Sequence, residues 1–227
     1  MNRPYIICHM MASVDGRIDC AMTEKLDGVK EYYEILQELN VPTTLSGKVT
    51  AQTEMAEPGI FVPKSNEIFG RKDFSKKVAA DGYSVVVDSK GTLLWKDNAG
   101  SVSPLVIITS ERVTKEYLTY LDSKNISWIV CGTEKVNLVQ AVKILAEEFG
   151  VQRMGIVGGG TINAGFLDAG LLDEISMLFA PGIDDRGGMT ASFDGRCMGD
   201  KAIRLKLENV TSYEDGAVWL RYLMKEL

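Results

Sequence analysis

The chain has 227 residues, 45% of them hydrophobic and 25% charged, with a formal net charge of −6. That size and apolar content support a buried core without staples, and the acidic balance excludes a general nucleic-acid binder, which needs a basic stripe to displace counterions. One histidine and four widely spaced cysteines (Cys8, Cys20, Cys131 and Cys197) exclude a Cys/His zinc site and fit reduced thiols in the cytoplasm.

Short apolar, β-branched runs alternate with helical patterns, the rhythm of an α/β fold with crossover helices. Arg3 to Met11 reads as a buried strand with apolar residues on both faces. It is too short for a signal peptide or membrane span and runs straight into Ser13-Val14-Asp15-Gly16-Arg17. The spacing of Val29, Tyr32, Tyr33, Leu36 and Leu39 predicts a helix that stops before Pro42. Tyr83 to Asp88, Leu105 to Thr109 and Ile126 to Cys131 are strand-like. The clearest helix is Leu138 to Phe149: Leu138, Ala141, Val142, Leu145 and Phe149 make one stripe, Asn137 and Gln140 resemble a capping box, and Gly150 holds the C′ position. A strand (Met154 to Val157), a glycine loop, a short helix and a further strand (Glu174 to Ala180) follow. Residues 181–200 are the longest irregular stretch, expected to close over a substrate or pack at a dimer interface. Ala202 to Leu227 reads as two antiparallel strands joined around Glu214-Asp215-Gly216. No linker or repeat breaks this order, so residues 1–227 are read as one domain.

Two segments have the chemistry to meet a ligand. In Gly158-Gly159-Gly160-Thr161-Ile162-Asn163, glycines between a strand and a helix remove the Cβ atoms that would keep an anion from the backbone. The first amides of the helix then face that anion, with the helix dipole favouring negative charge. Phosphate binding and a tight structural turn both satisfy this pattern, which lacks the third glycine of a Rossmann fingerprint and the lysine of a P-loop. The second segment, Ala12-Ser13-Val14-Asp15-Gly16-Arg17, follows the first strand, where sheet ligands usually bind; a plain Asp-Gly turn is the alternative.

Together, a first strand entering Ala-Ser-x-Asp-Gly and a late strand, glycine pair and helix followed by Leu171-Leu172-Asp173-Glu174 resemble one family. It is the reductase domain of riboflavin biosynthesis (the RibD C-terminal type) in the dihydrofolate-reductase-like superfamily. Arg3-Pro4-Tyr5, Gly47-Lys48-Val49-Thr50, Val87-Asp88-Ser89 and Ala180-Pro181 match in the expected order. The resemblance implies a mainly parallel central sheet flanked by helices, with the C-terminal hairpin antiparallel, and commonly a homodimer. It implies NADPH-dependent reduction of the ribosyl group of 5-amino-6-(5-phosphoribosylamino)uracil to a ribityl group. By the same resemblance Ala12, Thr50, Glu54 and Ser89 are cofactor contacts, and Gly158, Gly159, Gly160, Thr161, Ile162 and Asn163 form the pyrophosphate cradle. The chain departs from the family at His9, where many members carry lysine, and at Gly158, where many carry glutamate; both positions face the substrate in the family.

In such a reductase the cofactor supplies the hydride and the protein supplies placement. His9 and Asp15 are the candidate catalytic residues. His9 is the side chain with an ordinary pKa near neutrality and would orient substrate or relay a proton, the alternative being a satisfied core histidine. Asp173-Glu174 is read as a strand start or turn cap, and Trp95, Trp128 and Trp219 as core or interface filling. A single histidine and the absence of a G-x-S-x-G elbow exclude a Ser/His/Asp hydrolase. Two rivals stand beside the main expectation: a reductase of another pterin, carbonyl or imine, and a non-catalytic nucleotide-binding relative.

Overall fold

The structure is a computed structural model that describes residues 3–195 and 202–225. In chain order its elements are β1 (Tyr5–Ala12), α1 (Cys20–Thr23), α2 (Val29–Glu38), β2 (Thr43–Gly47), α3 (Lys48–Glu54), β3 (Asp73–Ser75), β4 (Ser84–Val87) and β5 (Leu105–Thr109). Then come α4 (Lys115–Ser123), β6 (Ser127–Val130), α5 (Leu138–Glu147), β7 (Arg153–Gly158), α6 (Gly160–Asp168), β8 (Glu174–Phe179), β9 (Leu205–Ser212) and β10 (Val218–Met224). The chain forms two compact units, each built from separate stretches. The first holds Met1–Pro4 and Pro42–Met154, the second Tyr5–Val41 and Gly155–Leu227.

In the first unit the strand order is β3-β6-β5-β4-β2. β2, β4, β5 and β6 pair in parallel, and the short β3 lies antiparallel to β6. Val86, Ile107 and Val130 are fully buried, as strands covered on both faces require. They pack with Trp95, Tyr117, Leu118 and Leu121 into one core. The predicted helix α5 forms, and its N-cap Asn137 accepts from the Gln140 N–H at 3.0 Å. Helix α4 was not evident from sequence because Lys115, Glu116, Thr119 and Asp122 leave only the stripe Tyr117, Leu118 and Leu121.

In the second unit the order is β7-β1-β8-β10-β9. β1 and β8 are parallel, with Ile7 opposite Glu174 and Ala12 opposite Phe179. β10 runs antiparallel to β8 and pairs with β9 in the expected C-terminal hairpin. Helix α2 lays Ile35 and Leu39 on Ile7, Met11, Leu178 and Trp219. The α/β fold with mostly parallel strands flanked by helices, ending in an antiparallel hairpin, is the one expected. Among the described residues no helix is long and apolar enough to cross a membrane.

Candidate functional site

Parallel pairing of β1 and β8 sets two chain segments side by side at one edge of the second unit. The Ala180 N–H donates to the Ala12 carbonyl at 2.8 Å, so the chain leaves both strands together. After β1, Ser13 to Arg17 close a turn in which the Gly16 N–H donates to the Ser13 carbonyl at 2.8 Å. Gly16 holds φ +80°, a conformation open to glycine. Ala12 is fully buried, with its carbonyl taken by the Ala180 N–H.

Asp15 does not stand free at this edge. Its carboxylate accepts from the Ser13 hydroxyl at 2.6 Å and from the Asp184 and Asp185 N–H groups at 3.0 and 3.1 Å. The Ser13 bond first, then the Asp184 amide, hold its pKa well below the usual carboxylate range. In this conformation Asp15 is an ionised acceptor that fastens the segment after β8. Further contacts continue that fastening. The Val14 N–H donates to the Gly182 carbonyl at 2.8 Å, Arg17 Nη1 to the Met189 carbonyl at 2.7 Å, and the Ser192 N–H to the Gly16 carbonyl at 3.2 Å. Arg186, one of the loop cations evident in the sequence, pairs with Asp184 and with Asp19.

The same segment reaches the glycine loop. Gly159 is the N-cap of the nine-residue α6 and supplies no side-chain cap, so the first-turn amides have no capping oxygen from their own chain terminus. Gly158 is buried with φ +152°, and the Gly158–Gly159 peptide is cis. A Cβ built on Gly160 would overlap the Ala191 carbonyl oxygen, so close approach of the chain's own backbone accounts for glycine there. The Asp194 N–H donates to the Gly160 carbonyl at 3.2 Å, and Asn163 Nδ2 to the Ser192 carbonyl at 2.6 Å. Thr161 is exposed and Ile162 half-buried, whereas Asn163 is fully buried. The Ser13–Arg17 turn and the start of α6 are thus joined across residues 189–194. Among the described residues Asn163 Oδ1 is buried without a hydrogen-bond partner, and Arg17 Nε, across that bridge, has only the Asp15 carboxylate 4.0 Å away. Such atoms cost on the order of 1–3 kcal/mol each when left unmade.

His9 lies deeper. Its ring is fully buried, stacked on Tyr32 with centroids 4.5 Å apart. Nε2 is 3.1 Å from the Tyr32 carbonyl, which can only accept, so Nε2 carries the proton. Nδ1 therefore accepts from the Ser176 hydroxyl at 2.9 Å, and the Ser176 oxygen takes the Trp219 indole N–H at 2.7 Å. Burial lowers the His9 pKa to about 4. In this conformation both ring nitrogens are taken and the ring is neutral, so His9 is held as a packed core residue. Asp173 caps the start of β8, its side chain accepting from the Ile6 N–H at 2.8 Å. Glu174 is not solvated: it is 1% exposed and accepts from Arg221 Nε at 2.6 Å.

In the first unit, parallel pairing places Gly47 opposite Val87 and Val87 opposite Ile108. Residues following β2, β4 and β5 therefore share one edge: Lys48 and Thr50 on α3, Ser89, and Thr109-Ser110. Thr50 is half-buried and Glu54, one turn on, is exposed. Ser89 presents its carbonyl to the Ser110 N–H at 3.1 Å and hydroxyl at 2.9 Å. Thr109, fully buried with no partner for its hydroxyl among the described residues, belongs to this edge and was not singled out from sequence. Among the described residues no group of three or more His, Cys, Asp or Glu could hold a metal ion.

An α/β unit of mixed pairing, with an uncapped glycine-led helix beside the turn after β1, has the features that can receive an anion. Residues 4–219 match the family model described as the RibD C-terminal domain, and the chain belongs to that family. No curated protein matches it in sequence. Its fold is similar to a pyrimidine reductase-like protein from Corynebacterium diphtheriae, with a TM-score of 0.72 and 18% identity over 99% of this chain and 93% of that one. It is also similar to Acinetobacter baumannii RibD (TM-score 0.68, 18% identity, 99% of this chain and 59% of that one). A third likeness is to the riboflavin biosynthesis reductase Rib7 of Saccharomyces cerevisiae (TM-score 0.62, 14% identity, 99% and 91%). The chain thus spans about three fifths of the RibD protein and most of the other two.

Proposed function

We propose that this chain is an NADPH-dependent reductase of the riboflavin-biosynthesis type, acting on 5-amino-6-(5-phosphoribosylamino)uracil. The observation that carries the reading is the start of α6: Gly159 leaves it without a side-chain cap, and it faces the edge shared with the Ser13–Arg17 turn. Family membership supports the reductase assignment. The residues fit a dinucleotide, since the exposed Thr161 and its neighbours Gly159, Gly160, Ile162 and Asn163 offer main-chain amides at a positive helix end. Within the first unit, Thr50, Glu54 and Ser89 are proposed cofactor contacts on the ground of family membership. A bound nicotinamide would supply the hydride, and the protein's part is to hold and orient.

A second reading, a reductase of another pterin, carbonyl or imine, rests on His9. A neutral buried imidazole stands where many family members carry a lysine, so the cation expected on the substrate side is missing at that position. Titration with NADPH, followed by nicotinamide absorbance with each candidate substrate, separates these readings. Turnover with the phosphoribosylaminopyrimidine supports the first; turnover confined to another carbonyl or imine supports the second. Binding with no turnover on any substrate would leave a non-catalytic nucleotide-binding protein.

We further read residues 1–227 as one module, because neither compact unit is a single continuous stretch. A homodimer is supported by strand β9, where Leu207 and Val210, each 52% exposed, sit opposite Tyr222 and Leu220 on β10 and form an uncovered apolar strip. The buried thiols of Cys8 and Cys131 support a reducing, cytoplasmic location.

A further inference from the structure

We propose that residues 182–194 are a strap that closes the entrance to α6 and competes with the dinucleotide for it. The proposal rests on the reading of α6 as the diphosphate site. Three observations carry it. First, the strap lies on the cradle itself: the Ala191 carbonyl oxygen is packed against Gly160, and Ser192 and Asp194 are bonded to Asn163 and Gly160. These contacts reach the Gly160 carbonyl and the Asn163 side chain, so the strap crowds the loop that leads to the first-turn amides.

Second, the strap is held from outside by polar contacts that can be exchanged for water. Asp184 and Asp185 donate their N–H groups to Asp15, Arg186 pairs with Asp19 and Asp184, and Arg17 donates to the Met189 carbonyl. Asp185, Arg186, Gly187, Gly188 and Thr190 are exposed, and Ile183 is 71% exposed, so lifting the strap strips little apolar core. Third, closure is incompletely satisfied. Asn163, wholly buried in the first turn of α6, turns its amide to the strap yet leaves Oδ1 without a hydrogen bond. An acceptor left idle by the closed strap gains a partner from a ligand that carries hydroxyls.

This assigns the segment a role opposite to that of a lid. A lid gains contacts when the ligand arrives; this strap gives them up, and apparent affinity is reduced by the fraction of molecules in the closed state.

Hydrogen exchange on the whole chain reads the strap directly, because the amides of Asp184, Asp185, Ser192 and Asp194 each donate one of its bonds. Saturating NADPH is expected to lower protection at these amides. Asp15→Asn and Arg186→Ala, which cut different anchors, are expected to bind NADPH roughly tenfold tighter, the gain when a competent population of about one tenth becomes the majority. Thermal unfolding identifies a variant that fails to fold, and the other then carries the test. If wild type binds NADPH but strap protection rises or stays level, or the folded variants bind no more tightly, the strap is overturned and the diphosphate reading stands. If wild type shows no binding and both folded variants bind, the strap is supported as a complete block. Absence of binding in all three overturns both.

Discussion

The Trp219 indole donates to the Ser176 hydroxyl at 2.7 Å, in line with the direction that the Tyr32 carbonyl imposes on His9. With its oxygen taken by the indole, the Ser176 hydroxyl gives its proton to Nδ1, and Nε2–H points at the Tyr32 carbonyl. Protonating His9 would turn Nδ1 into a second donor and leave the serine proton without its acceptor.

Stability should therefore depend on pH through His9. Its folded pKa is lowered from 6.5 to about 4, so the unfolded chain takes up a proton that the native chain refuses. The contribution is complete above about pH 6.5 and is lost as pH falls toward about 4, by on the order of 3 kcal/mol. Urea unfolding across that range should show a falling midpoint in wild type and a flatter profile in His9→Gln. Equal slopes in the two proteins would remove His9 as the source.

Gly160→Ala should destabilise the second unit, because the new methyl overlaps a backbone oxygen of Ala191 rather than a movable side chain. Relief requires displacement of the strap, at a cost of about 1–3 kcal/mol. The melting temperature should fall and cleavage within residues 183–190 should accelerate under limited proteolysis. An unchanged cleavage pattern would contradict the close approach.

Arg221→Ala removes the partner of Glu174, a carboxylate only 1% exposed that otherwise receives the Tyr5 hydroxyl at 3.2 Å. Leaving that charge buried should cost about 3–5 kcal/mol in chemical denaturation. Pairing the change with Glu174→Gln should recover part of the loss, and a double variant as unstable as the sum of the singles would argue against direct coupling.

Thr109→Val exchanges a buried hydroxyl without a partner for a methyl of similar shape. Stability is expected to rise by about 1 kcal/mol, read from the denaturant midpoint. A loss of stability would mean that the hydroxyl is satisfied in solution.

Lysine at Val210 places charge on the apolar strip of β9, opposite Leu220. Light scattering should then report a shift from dimer to monomer, with the melting temperature becoming independent of concentration. Wild type that scatters as a monomer would remove the homodimer reading.

Strong periodicity made β1, β4, β5, β6 and α5 legible in the sequence, because burial on both faces or along one stripe leaves its mark in residue type. α4 escaped because its polar face outnumbers its core positions, and β3 because three residues carry no pattern. The two ligand-facing segments were legible as glycine punctuation, but what covers them was not. The strap is fastened mainly through backbone N–H and C=O groups of residues 182–194, which any sequence possesses. His9 looked available for chemistry because its partner Ser176 is set by the register of β1 on β8, a long-range fact that no local spacing contains.

The order of the strands also bears on how the chain is made. β1 is translated early, yet its parallel neighbour β8 begins only at Glu174. Residues 42–154 leave the ribosome in between and can complete their own core while the apolar Ile6-Ile7-Cys8 run still waits for β7 and β8. Synthesis halted before Glu174 would release a chain whose β1 has β7 on one side and an open edge on the other, a substrate for chaperones rather than a smaller working protein.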